Sequence, residues 1–304
     1  MANAKEIKRK IGSIKNTGKI TNAMELISTV KMKKAQDLAL EKREFVLEIL
    51  KVFLRVEGYL RDYPLFDTTK TGKTLAVVVT SNKWLCGGYN INVMKKVNEY
   101  VKQNSDESLE FITVGKKAAS FVAATWNTLL ADFSQDFSDN IEPLFTKRIS
   151  KMMRDEFMTG GYSKVVVFYN HYINTIKQIP VAEVRLPINA QDIKDYLMAV
   201  VQDHYNLETE LWVNDDTHFY DIEPSSEELA NEVIPIILDM IFYDVLLESK
   251  ASEHSSRMIA MKNAKDSAKK IADALTLKYN KARQALITQE VSEITAGVES
   301  MKDM

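Results

Sequence analysis

Hydrophobic and polar positions follow two different periods along this chain, and the change of period marks out its parts. From residue 3 to about residue 60 apolar side chains recur at steps of three and four. They are Ile7, Ile11 and Ile14, then Ile20, Met24 and Ile27, then Phe45, Ile49, Val52, Val56 and Tyr59. That spacing is the seam of a coiled-coil helix. Gly12 and Gly18 interrupt it at about 1 kcal/mol each relative to alanine, so the helix is expected to need a partner.

A second helical pattern opens just after Pro224, where Ser225 and Glu228 form a capping box. Leu229, Val233, Ile236, Met240, Tyr243, Leu247, Ala251, His254, Met258 and Met261 keep four-three spacing. After one slip Ala264, Ala268, Ile271 and Leu275 continue it, and after a second Tyr279, Ala282 and Leu286. Pro235 is expected to kink its early turns. The final stretch, Asn280 to Ile294, places an arginine, two glutamines, a threonine and two glutamates on almost every face. A helix that is polar nearly all round must be solvated or surrounded by a partner.

Between these segments the period switches. Thr74–Thr80, Leu109–Val114 and Lys164–Tyr169 read as buried strands, and Ile176–Leu186 as an edge strand marked by Pro180 and Pro187. Helical stretches near 90–103, 116–127 and 141–158 lie among them. All six prolines fall between Pro64 and Pro235, so both ends lack the strongest helix breaker. His204 to Glu228 holds eight acidic residues and no lysine or arginine, which reads as a solvated connection.

The fold class is therefore α/β, with a long antiparallel coiled coil of N- and C-terminal helices and a small central domain whose sheet is mostly parallel. The expected segments are an N-terminal helix over 1–62, a central Rossmann-like domain over 63–224 and a C-terminal helix over 225–304. At 1.5 Å per residue the helices would run roughly 85 and 110 Å. Joined through the middle domain they must pair antiparallel, with facing residue numbers that sum to roughly 287 if residue 60 lies beside about residue 227. The last twenty or so residues would then have no partner helix.

Composition removes several function classes. A formal charge of -2 argues against general attraction to nucleic acid. Residues 1 to 45 carry eleven basic and five acidic side chains, a local +6, yet no aromatic precedes Phe45. That suits a solvated face or an acidic protein surface better than stacked bases. A single cysteine, Cys86, cannot form an internal disulfide. The N-terminus has no apolar stretch of the signal-peptide kind, and no run approaches the roughly 18 apolar residues of a membrane span.

Candidate chemistry is sparse. Gly72-Lys73-Thr74 has the end of a phosphate loop, but Asp67 stands where its first glycine belongs, and the motif opens a strand rather than a helix. It reads as a turn. Leu85-Cys86-Gly87-Gly88 lies at a strand-to-helix junction without dinucleotide spacing, and Cys86 reads as a small packed residue. His171, His204, His218 and His254 are too scattered for a metal cluster, and each is expected at the surface or half-buried. No catalytic residue, cofactor site or metal site is expected.

Taken together, five groups of residues resemble the gamma subunit of the F-type rotary ATP synthase. They are Ala4–Ile7 with Lys19–Leu26, Lys31–Gln36, Leu85–Gly88, Ala251–Glu253 with Arg257–Met261, and the Asn280–Ile294 run. The resemblance implies a rotor shaft whose terminal helices turn inside a ring of alpha and beta subunits. It implies that the ring carries out the ATP chemistry and that the central domain meets the epsilon subunit and the membrane c-ring. Met24, Arg283, Gln284, Thr288 and Glu290 would contact the ring. It also implies a peripheral place on the cytoplasmic face of a bacterial plasma membrane, coupled to proton flow. The alternative is a gamma-like shaft of an F1-like ATPase coupled to something other than proton transport. One departure stands out: the family's Ser-Asp-basic-Gly is here Ser81-Asn82-Lys83-Trp84.

Overall fold

The computed structural model describes residues 4–41, 43–56, 63–125, 128–201 and 225–302. In chain order they form α1 (Ala4–Glu41), α2 (Arg43–Val56), a short 3-10 turn (Pro64–Phe66), β1 (Lys73–Val79), α3 (Tyr89–Gln103) and β2 (Leu109–Val114). Then come α4 (Lys116–Ala124), β3 (Thr128–Asp132), α5 (Pro143–Met158), β4 (Tyr162–Tyr172), β5 (Gln178–Leu186), α6 (Ala190–Val201) and α7 (Ser226–Lys302). Contacts divide the chain into two compact units, Thr29–Ser256 and Met1–Ser28 with Arg257–Met304.

The larger unit is built on a five-stranded sheet of order β3-β2-β1-β4-β5. Strands β1 to β4 pair in parallel, and only β5 runs antiparallel, against β4. Period-two alternation along β1 sorts its side chains onto two faces. Leu75, Val77 and Val79 join the core that contains Leu50, Phe53, Ile149, Ile193, Ile234 and Leu246. Ala76 and Val78 face Val93 and Val97 of α3 and Ala118 and Val122 of α4. Both faces are thus covered, which is why the strands read as continuous apolar runs.

The expected strands and helices of the middle are present, with β3 and α6 in addition. The first stretch of helix differs from its expected seam. Phe45 is exposed, whereas Val46, Leu47, Ile49, Leu50 and Phe53 are buried. The reason is that α2 packs on the sheet's core and not on a single helix, so it needs a broader apolar face. The same holds for the first turns of α7: Ile236 is exposed while Val233, Ile234, Ile237, Leu238 and Ile241 are buried.

Helix α7 begins as the capping box requires, with the Glu228 amide donating to Ser225 Oγ at 3.1 Å. It continues through Pro235 for 77 residues, roughly 115 Å. The connection expected over 204–228 falls, up to residue 224, outside the described residues, as do His204 and His218.

In the smaller unit α1 and α7 pair antiparallel. A Cβ added to Gly18 would sit 3.6 Å from Ala268, and Lys265 Nζ reaches Asn22 at 3.4 Å and Glu25 at 2.5 Å. These pairs sum to 286, 287 and 290, against an expected sum of roughly 287. The seam is thin. Among the described residues, Met261, Ala268 and Ala272 are the buried apolar residues of α7 here, while Ile271, expected in the seam, is exposed.

Candidate functional site on the helix pair

A helix pair that buries so little is marginal in water by its own packing. On α1, Ile20, Leu26 and Ile27 are more than half exposed; at 100° per residue Ile20 and Ile27 share the side turned away from α7 and Leu26 lies about 100° from them. On α7 every residue from Arg283 to Val298 is exposed. By the pairing register Ala4, the first described residue of α1, falls opposite about Arg283.

The exposed end of α7 is not polar all round, as its composition suggested. Ile287, Val291, Ile294 and Val298 are each at least half exposed, and at 100° per residue they fall within about 60° of one another. Arg283 and Glu290 border this stripe on one side, Gln284 and Thr288 on the other. Thr288 Oγ1 donates to the Gln284 carbonyl at 3.0 Å, so that flank is held by the helix itself. The four-three-four step was visible in the sequence, but the surrounding polar residues obscured it.

Four of the five expected contact residues therefore share one patch. Met24 does not join it. It is half-buried next to Glu25, at the level of Lys265, and eighteen residues of helix, roughly 27 Å, separate that level from Arg283. The candidate surface consists of two patches along one helix pair.

The other sequence candidates are engaged elsewhere. Lys73 Nζ lies 2.5 Å from Glu110, and Thr74 Oγ1 donates to Glu107 at 2.8 Å. Cys86 is buried, with Asn90 Nδ2 donating to Sγ at 3.1 Å and Ser81 Oγ 3.6 Å away. His171 is half-buried and pairs with Glu248 at 2.7 Å, a bond that raises its pKa against the opposing effect of burial.

His254 corrects the expectation of a surface or half-buried residue: it is buried, with Nε2 3.2 Å from Asp139. The fold joins residues 115 apart in sequence, a link that spacing could not show. Asp139, Glu253 and His254 offer ligand atoms within 4.8 Å of one another. Two ammonium groups already serve those carboxylates, Lys31 at 2.5 Å and Lys250 at 3.6 Å from Asp139, the latter also 3.3 Å from Glu253. Such a cluster is an internally neutralised ion network and not an open cation site.

Asn82 explains the departure at the β1 turn. Its Nδ2 donates to the carbonyls of Ser134 at 2.9 Å and Phe137 at 2.8 Å, and its Oδ1 accepts from the Lys116 amide at the start of α4. A carboxylate could fill only the last role.

The comparisons with known proteins agree with this geometry. Residues 3–301 match the family model described as ATP synthase. The ATP synthase gamma chain of Roseiflexus sp. (strain RS-1) is 34% identical over 310 residues, covering 100% of both chains. That of Heliobacterium modesticaldum is 33% identical, covering 99% of this chain and 100% of the relative. Among solved structures, a chain of the Tetrahymena thermophila mitochondrial ATP synthase central stalk and c-ring aligns with a TM-score of 0.55 at 26% identity. It covers 81% of this chain and 99% of that one. A chain of the Euglena gracilis mitochondrial ATP synthase shares the fold at a TM-score of 0.63 and 18% identity, covering 98% and 94%.

Helix pair and α/β domain together thus define a central-stalk subunit of a rotary ATP synthase. The chain belongs to the ATP synthase gamma-chain family.

Proposed function

We propose that the chain is the rotor shaft coupling proton-driven rotation to ATP synthesis and hydrolysis in a ring of alpha and beta subunits, and is not itself catalytic. The observation that carries this reading is the exposed stripe Ile287–Val298 with its flanks Arg283, Gln284, Thr288 and Glu290. An apolar strip with a polar border, on a stretch of helix lying past the described residues of α1, fits a surrounding protein sleeve. The basic N-terminal helix with Met24 supplies attraction to an acidic ring surface. Epsilon and the membrane c-ring are the partners proposed for the α/β domain. The complex would then hold the chain at the cytoplasmic face of a bacterial plasma membrane, and no described helix is long and apolar enough to cross a membrane.

The coupling is allosteric: each nucleotide state of the ring biases the shaft angle only by its differential affinity for the face presented to it. The test is co-expression with alpha and beta chains and observation of a bead on the α/β domain during ATP hydrolysis. Rotation is expected, and removal of residues 285–304 is expected to lower torque and assembly yield while leaving the α/β domain folded. A truncated complex with unaltered torque and yield would overturn the role of the tip.

A further inference from the structure

Two surface elements of the α/β unit each touch both long helices. The first is the loop between β3 and α5. Asp139 meets Lys31 of α1 at 2.5 Å, and His254 and Lys250 of α7 at 3.2 and 3.6 Å. Its neighbour Asn140 accepts from Lys34 of α1 at 3.2 Å. The second is the β4–β5 hairpin. Tyr172 Oη accepts from Gln36 of α1 at 2.9 Å and lies 4.0 Å from Met32 Sδ. On α7, Ser252 donates to the Asn170 carbonyl at 3.0 Å, Ser255 to the Thr175 carbonyl, and Ser256 to Gln178 Oε1 at 3.0 Å.

The helical positions show what this arrangement does. On α1, Lys31 and Lys34 lie roughly 150° around the axis from Met32 and Gln36, and on α7, Lys250 and His254 lie roughly 170° from Ser252, Ser255 and Ser256. The two elements therefore hold opposite faces of each helix. Apolar packing alone is non-directional and lets a helix roll, whereas hydrogen bonds fix direction.

The charged side of this grip is expensive to lose. Lys250 is buried, its ammonium 3.8 Å from the centre of the Phe137 ring, so that ring face and the carboxylates of Asp139 and Glu253 balance its charge. The bond from His254, then those from Lys31 and Lys250, hold the Asp139 carboxyl far below the usual carboxylate range although burial opposes them. The loop is fixed from behind by the two Asn82 bonds and by Phe137 stacked on Phe145 at 6.0 Å. Lys31 is well exposed and adds little by itself.

We infer that Asp139 is the positioning residue of a two-jawed clamp that sets the rotational phase of α1 and α7 against the α/β domain, so that torque passes between them without slip. This rests on the rotor reading above. The test uses the full complex with alpha and beta chains, stalled at low ATP, with a bead tethered to Cys introduced as Ser105→Cys on the α/β domain. If the two jaws act independently, loss of one leaves about half the restoring stiffness. The variance of bead angle in Asp139→Asn should therefore roughly double, while unloaded ATP hydrolysis stays unchanged.

Tyr172→Phe, which removes the bond of the other jaw to α1 and leaves its three bonds to α7, should broaden the distribution by a smaller amount and serves if Asp139→Asn fails to assemble. Ile149→Val, a core substitution outside the clamp, controls for general loosening. Unchanged variance in Asp139→Asn or in the substitute Tyr172→Phe, or equal broadening in Ile149→Val, overturns the clamp. Failure of the unsubstituted complex to rotate overturns the rotor reading instead.

Discussion

Lys265 of α7 reaches across to Glu25 of α1, Nζ to carboxylate oxygen 2.5 Å, an ion pair that joins the two helices in the smaller unit. With side chains one-third and one-fifth exposed, its contribution is below about 1 kcal/mol. The thin alanine seam beneath it makes even that amount noticeable. Lys265→Glu should speed hydrogen exchange of α1 amides over residues 4–28 in the full chain, and adding Glu25→Lys should restore protection. Exchange in Lys265→Glu as slow as in the parent would show that the pair contributes nothing to holding the helices.

Asn82→Asp installs the residue type that the resemblance implies at this turn and is nevertheless expected to weaken the chain. The change keeps the acceptor for Lys116 but removes both donors, leaving the Ser134 and Phe137 carbonyls facing a carboxylate. The cost should be about 1–2 kcal/mol, read as a lower urea midpoint at unchanged slope. A midpoint equal to the parent's would mean that water replaces these bonds without loss.

Gly115 offers a harsher case. Its φ is +112°, and an added Cβ would lie 2.2 Å from the Thr80 carbonyl oxygen, at the turn where Thr80 Oγ1 accepts from the Ala118 amide at 2.8 Å. Neither the backbone angle nor the neighbouring carbonyl can yield cheaply, so Gly115→Ala should cost more than about 3 kcal/mol. Soluble expression with a parent-like melting point would contradict this.

These sites differ in how far the sequence revealed them. The helix register was readable because it depends on length and rise alone: Gly18 lies against Ala268 where counting placed it. The strands of β1, β2 and β4 were readable because burial on both faces leaves unbroken apolar runs. Strand β3 was not, since Thr128–Asp132 is short, with no fully buried residue. The Phe45 seam went wrong because a broad core face and a narrow coiled-coil seam share the same three-four steps. The clamp was invisible: Asp139, Lys250 and His254 are ordinary surface residue types until the fold brings a β3–α5 loop against α7.

The ion pair of His171 with Glu248 gives a pH dependence whose sign is fixed. The bond to Glu248 raises the His171 pKa, with Glu183 adding to the effect, Arg185 and burial opposing it, and Tyr169 nearby. A raised folded value means that the native state holds the proton more tightly. The stabilisation is therefore full below the unfolded pKa of about 6.5 and lost as pH rises through the folded value. At nearly half exposure it amounts to less than about 1 kcal/mol. His171→Gln should lower the denaturation midpoint at about pH 5.5, roughly one unit below the unfolded pKa, and leave it unchanged well above the folded value. A deficit that grew with pH would reverse the assignment.

The exposed stripe separates assembly from folding most cleanly. Ile287 and Ile294 are 50% and 67% exposed, so replacing either with aspartate should alter the stability of the isolated chain by no more than about 0.5 kcal/mol. Inside a protein sleeve the same change buries an unpaired carboxylate, which is strongly unfavourable. Ile287→Asp with Ile294→Asp should therefore leave the melting point of the chain alone yet sharply reduce recovery of its complex with alpha and beta chains. Arg283→Ala, at the edge of the stripe, should assemble but turn with lower torque, because a rim side chain orients more than it anchors. Full assembly of the double aspartate variant would mean that this end of α7 stays in water throughout the cycle.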